Sequence, residues 1–296
     1  MDNVLYYNKR GRFIKPNRRQ REAAICVSNA SEENKPILAC TEGFREIQQP
    51  SEGDWLAEHQ EGAQNFFEYR QHQCCKPTKR RNTFYIQPVG TFDESCSPPL
   101  ELLGEFASCY FHGMNVELLE PLKNITAGNR RSGACVYQSS KGKRYNIRSR
   151  TNSETNNLQL VTGDIMNALK NEKSKRGNCF CMLAVTMVDV YPNDKWNFVF
   201  GEASLSNGVG VFSFARYSPY FGLGVQNPTL SESDMALLIK RSCQVLAHET
   251  GHMFGIHHCV YYDCCMNGAN HLEESDSQSI FLCPIDLHKL CHAISF

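Results

Sequence analysis

The sequence predicts a mixed α/β domain in which a twisted sheet of parallel and antiparallel strands is packed by helices. Three observations carry this. From residue 83 onward, segments with two-residue hydrophobic spacing alternate with segments spaced every 3.6 residues. One apolar run, Cys179–Tyr191 (CFCMLAVTMVDVY), is nearly continuous, as a strand covered on both faces should be. A long amphipathic helix begins near Ser231 and leads into a stretch rich in histidine.

Taken in order, residues 1–81 read as a polar, basic extension and residues 82–296 as the domain. Lys9, Arg10, Arg12, Lys15, Arg18, Arg19 and Arg21 make the start basic, and Lys76, Lys79, Arg80 and Arg81 repeat this before order begins. A solvated, irregular arm is the expectation, ahead of a nuclear-import or nucleic-acid patch. Trp55, Phe66, Phe67 and Tyr69 imply that part of it packs onto the domain. Thr83–Gly90 reads as a strand, Pro99–Phe111 as a helix burying Leu100, Leu102, Leu103, Phe106 and Tyr110, and Met114–Leu119 as a second strand. Residues 121–157 read as loop, being basic and rich in Ser and Asn. Thr162 is the expected N-cap of a helix through about Glu172 that buries Ile165 and Leu169. Cys179 and Cys181 share one face of the apolar strand and read as buried thiols. Strands follow at Asn197–Ala203 and Gly208–Tyr217. Ser231 and Asp234 then give an S-x-x-D capping signal. Met235, Leu238, Ile239, Leu246 and Met253 form the docking face of the long helix.

Thirty-one basic and 31 acidic side chains cancel over 296 residues, so charge argues for no particular partner. No apolar run approaches the ~20 residues of a membrane helix, and the start lacks the apolar core of a secretory signal. Fifteen cysteines, an odd count, then point to free thiols and a thiolate metal site in a reducing compartment. The expectation is an intracellular, cytoplasmic protein, with the basic start also compatible with the nucleus. A nucleic-acid partner would rest on that composition alone, and the sequence specifies no oligomeric state.

The chemistry concentrates in His248–Cys259, HETGHMFGIHHC. His248 and His252 are four apart and stand on one helix face, where two neutral imidazoles can share a zinc ion. Glu249 lies beside them as general base toward a water that zinc activates. Gly255 lets the chain leave the helix and bring back a third nitrogen ligand, leaving the fourth position open as catalysis requires. Both His257 and His258 are available, and the ten-residue spacing from His248 favours His258. The full HExxHxxGxxH pattern followed by Met266 is far more specific than HExxH alone.

This stretch resembles the metzincin clan of zinc peptidases. Its continuation, with Cys259, Cys264, Met266 and Cys283, resembles the archaemetzincins. The segments NHLEESD, CPIDLHKL and FVFGEASLSNGVGVFSFARY are similar to those of the animal members, and the similarity spans about the last two-thirds of the chain. The resemblance implies a zincin-like fold with an active-site helix and a short C-terminal subdomain. It also implies that Met266 forms an apolar floor beneath the metal, and that an edge strand, taken to be Gly208–Tyr217, receives an extended peptide. It implies two zinc ions per chain, one catalytic and one structural, the latter held by Cys259, Cys264 and Cys283. The fourth family position carries Asp286 instead of cysteine; a carboxylate can ligate zinc, and Cys265 and Cys291 are the other candidates. The expected activity is hydrolysis of peptide or protein substrates. A non-catalytic zinc protein or peptide-binding scaffold with the same fold is the competing reading, and it has no chemical need for Glu249.

Overall fold

Among the described residues, four short α-helices precede the first strand: α1 (Arg18–Ile25), α2 (Lys35–Ala39), α3 (Trp55–Glu58) and α4 (Phe66–His72). They overturn the reading of residues 1–80 as irregular and solvated. Phe13, Ile25, Leu38, Leu56, Phe66 and Tyr69 are buried there, while Phe67 faces outward. Arg21 is also buried, paired with Glu46 and lying over the Tyr262 ring. These apolar residues are too sparse to give any periodic window. They find cover from the far end of the chain, which no local pattern reports.

This computed structural model describes residues 6–72, 76–126, 133–225 and 228–295. The chain divides into two units, residues 1–76 with 250–296 and residues 77–249. The second unit holds β1 (Thr83–Val89), α5 (Leu100–Tyr110), β2 (Asn115–Leu118), β3 (Lys123–Asn124), β4 (Ala134–Gln138) and β5 (Arg144–Thr151). β6 (Leu158–Val161), α6 (Thr162–Lys173), β7 (Cys179–Thr186), β8 (Asp189–Tyr191), β9 (Gly201–Ser204) and β10 (Val209–Ser213) follow. The long helix is α7 (Glu232–Met253), and α8 (Leu272–Ser277) and α9 (Pro284–Ile294) close the chain.

The mixed α/β expectation holds. One sheet has the order β2-β1-β7-β10-β9, parallel except for β9, which runs antiparallel to β10. Every residue of β1 and β7 is buried, as the apolar run of β7 demands. That run stops at Thr186, and Asp189–Tyr191 joins the other sheet beside β6. β10 lies between β7 and β9, so the edge expected at Gly208–Tyr217 is instead β9. The continuous burial of β10 reflects partners on both sides.

The second sheet, β3-β4-β5-β6-β8, occupies most of the stretch read as loop, whose residues 127–132 lie outside the described ones. Most residues of β4 and β5 are half-buried or exposed, and only Cys135, Tyr137 and Ile147 of the two are buried. Such strands bury too few apolar residues to stand out from a Ser- and Asn-rich background. Ile165 and Leu169 of α6 join these residues and Tyr85, Met182 and Val211 in one core. Each such side chain contributes roughly 1.5–3 kcal/mol when fully buried. Thr162 is the first residue of α6 and not its cap; its hydroxyl donates to Glu202. In α5, Leu102 points outward, and Leu103 and Ala107 take the buried face. The cap of α7 forms as read, with Asp234 N–H donating to Ser231 Oγ at 3.2 Å. Leu238, Cys243, Leu246 and Ala247 supply its deeply buried face.

Gly201 shows how tightly the edge is packed. It sits opposite Phe212, and a Cβ there would lie 2.2 Å from that ring and 2.9 Å from the Val211 carbonyl. Phe212 is buried and has no room to retreat. Gly201→Ala is expected to lower stability by about 1–3 kcal/mol and to speed amide exchange in β9. Thermal melting and hydrogen exchange check this, and an unchanged melting temperature would refute it.

Candidate metal centres

α7 ends in a turn that decides where the third histidine goes. Gly255 stands at φ +82°, a region that disfavours any side chain. Its N–H reaches the His252 carbonyl at 2.8 Å, and the Ile256 N–H reaches the Gly251 carbonyl at 3.3 Å, the paired bonds of a Schellman exit. Nitrogens of His248, His252 and His258 lie within 4.8 Å of one another. His257 is not in this group; its side chain is exposed and its backbone N–H donates to Gln64.

The tautomers suit a metal. His252 Nδ1 donates to the Ile256 carbonyl at 2.6 Å, and His258 Nδ1 to the Glu61 carboxylate at 2.7 Å. With Nδ1 protonated, the lone pair of each ring is on Nε2. Three neutral imidazoles, two of them with an oriented second nitrogen, fit a zinc site that keeps one open position. Glu249 is half-buried and stands outside the trio among the described residues. Met266 is completely buried, and its sulfur lies 2.5 Å from where a Cβ on Gly251 would stand. The glycine between the two helical histidines therefore makes room for this methionine.

The second group joins Cys259, Cys264, Cys283 and Asp286, all buried, with ligand atoms within 4.8 Å of one another. Cys259 and Cys283 sulfurs are 3.7 Å apart, and Asp286 Oδ2 lies 3.3 Å from Cys264 Sγ and 3.4 Å from Cys283 Sγ. The other oxygen of Asp286 accepts from Lys289 Nζ at 2.8 Å, in a pair with no more than 1% side-chain exposure. Lys289 thus turns one carboxylate oxygen toward the thiols. Cys265 and Cys291 are not in the group among the described residues. Burial pushes the Cys259 thiol up, but hydrogen bonds from Cys264 and Cys283 and the Lys289 charge outweigh it and hold the thiol well below its ordinary value. Burial raises Cys264 and Cys283, and it raises Asp286 to about 7 against the pull of Lys289. Three thiols and a carboxylate around one point are a donor set that suits zinc.

A third group, Asp54, His271 and Glu274, is occupied with capping. His271 caps α8 by accepting the Glu274 N–H, and Glu274 itself accepts from the N–H groups of Trp55 and Asn270. Glu61 and Lys289 escaped the sequence reading. Lys289 had a signal, its i+3 spacing from Asp286 on one helix. Glu61 had none, since its partner is 197 residues away.

Residues 143–292 match the profile of peptidase family M54. The chain is 36% identical over 294 residues to archaemetzincin-2 of Homo sapiens, covering 90% of this chain and 76% of that one. It belongs to the archaemetzincins, a family of zinc metallopeptidases. Archaemetzincin-1 of Mus musculus is 30% identical over 266 residues, 82% of this chain and 49% of that one. A crystal structure of archaemetzincin from Methanopyrus kandleri is 22% identical, with a TM-score of 0.48 over 74% of this chain and 99% of that one.

In this archaemetzincin the contact between Gly251 and Met266 can be tested by a double-mutant cycle. Gly251→Ala is expected to cost about 1–3 kcal/mol by overpacking, and Met266→Ala about 2–5 kcal/mol by opening a cavity. Combined, they should cost less than their sum, because the new methyl enters the vacated space. Strict additivity in denaturant unfolding would disprove the contact.

Proposed function

We propose that His248, His252 and His258 hold a catalytic zinc and that Glu249 is the proton acceptor in peptide-bond hydrolysis. The observation that carries this is the convergence of three imidazoles, two of them with the second nitrogen tied in place, with a carboxylate one residue from the first of them. When bound, zinc acts as a Lewis acid that acidifies water and polarises the scissile carbonyl. Glu249 takes a proton from the water as the new C–O bond forms. It then gives that proton to the amine nitrogen as the C–N bond breaks. The outer edge of β9 offers backbone groups to which an extended peptide can add, since among the described residues β9 pairs only with β10.

We further propose a second, structural zinc on Cys259, Cys264, Cys283 and Asp286. Four protein ligands close such a site and leave no place for a reacting water. Three thiolates and a carboxylate carry four negative charges against the two positive charges of zinc, and the buried Lys289 offsets part of the excess.

Glu249→Gln keeps the shape of the side chain and removes its basicity. Zinc content should be unchanged, while peptide hydrolysis falls by about 10²–10⁴-fold; normal turnover would remove Glu249 as proton acceptor, and no turnover in the parent protein would favour the non-catalytic alternative. For the second ion, X-ray absorption should show two zincs per chain, one rich in sulfur at ~2.3 Å. Asp286→Ala should weaken the sulfur-rich one alone. One zinc with no sulfur neighbours would remove the second site, and an indifferent Asp286→Ala would remove this ligand from it.

A further inference from the structure

The third histidine is held from the opposite end of the chain. Glu61 Oε1 accepts from His258 Nδ1 at 2.7 Å and from the Trp55 indole N–H at 2.6 Å, so one oxygen receives both donors. The Trp55 ring is itself fixed. It lies against His59 with centroids 4.1 Å apart, meets the His258 ring edge-on at 5.0 Å, and sits so close to Gly268 that a Cβ there would be 2.5 Å from the indole. The backbone of Glu61 is anchored too: its N–H donates to the Tyr7 hydroxyl at 3.1 Å, and that hydroxyl donates to the His59 carbonyl at 2.9 Å. Further along, the Gln64 side chain donates to the Gly255 carbonyl and accepts from the His257 N–H, both at 3.1 Å. Tyr69 donates its hydroxyl to the Phe254 carbonyl at 2.9 Å.

We infer that Glu61 is a positioning residue for the zinc ligand His258, and that residues 55–69 are a working part of the metal site. This rests on the reading of His258 as a ligand. A ring on a returning loop can rotate about two side-chain bonds, and a single nitrogen-to-metal contact does not stop it. The Glu61 bond fixes the rotation and the tautomer together, and the carboxylate raises the basicity of Nε2. An exposed His–Glu pair would do little. Here both side chains are only about a fifth exposed, at 19% and 22%, and the acceptor oxygen is held by a second donor that cannot move. The match to the family profile begins at residue 143, so this support comes from a stretch that the profile does not reach.

The test is a chelator titration of the full chain, reading the zinc held through nitrogen by its K-edge spectrum. Glu61→Ala should weaken that zinc by about 10–100-fold and leave any sulfur-bound zinc unchanged. Glu61→Gln should fall between Glu61→Ala and the parent, because an amide oxygen still accepts from Nδ1 without the charge. His258→Ala, measured alongside, should lose the nitrogen-bound zinc. If it does while both Glu61 variants bind as the parent, the inference is overturned and the ligand reading stands. Nitrogen-bound zinc that survives His258→Ala overturns both. Equal loss of every zinc in Glu61→Ala, with a lowered melting temperature of the metal-free protein, marks a general structural role and also overturns the inference. Should Glu61→Ala not fold, Glu61→Gln decides alone, and a shift below twofold counts against it.

Discussion

Three imidazoles can share one ion only if the chain reverses within a few residues of the helix, and the turn at Gly255 is where it does so. The positive φ of that residue and the paired bonds of the helix exit set the direction of Ile256 and everything after it. Phe254 and Ile256 are buried on either side of the turn, which keeps it from relaxing. Gln64 and Tyr69 hold the same carbonyls that a frayed helix end would expose to water. His258 arrives next to His252 because of this turn, and Cys259 follows at once as the first member of the second group. The two centres are therefore adjacent in the chain and depend on one backbone reversal.

The second group illustrates how a protein keeps charge in a dry interior. Asp286 stands where the family pattern has a thiol, and a buried carboxylate without a partner is costly. Lys289, one helical turn later, takes one oxygen and leaves the other facing the sulfurs. The pair gives the group a fixed cation and decides which carboxylate oxygen faces the sulfurs. Pro284 at the start of α9 sets the helix on which both residues stand.

The parts legible in the sequence were those whose cause is local. The spacing in His248–His258, the breaking role of Gly255, the cap at Ser231 and the apolar run of β7 all act within one or two turns of chain. The neighbouring Asp286 was within reach for the same reason. What stayed hidden depends on partners far along the chain. β4 buries only alternate residues and β5 only Ile147, and their polar faces mask the pattern. The identity of the edge strand depends on pairing order, which no single strand encodes, so the sequence points to β10 where the edge is β9. The helices before residue 77 are short and owe their apolar contacts to residues beyond 250.

That last dependence orders events during synthesis. A ribosome adds about 5–20 residues per second, so Glu61 emerges roughly 10–40 s before His258 exists. Both sheets pair entirely inside residues 77–249 and need no strand from later residues. Residues 1–76 have to wait, with Ile25, Leu38 and Phe66 uncovered, because their cover is translated last. A histidine trio whose third member follows residue 257 stays incomplete on any nascent chain that has not yet reached it.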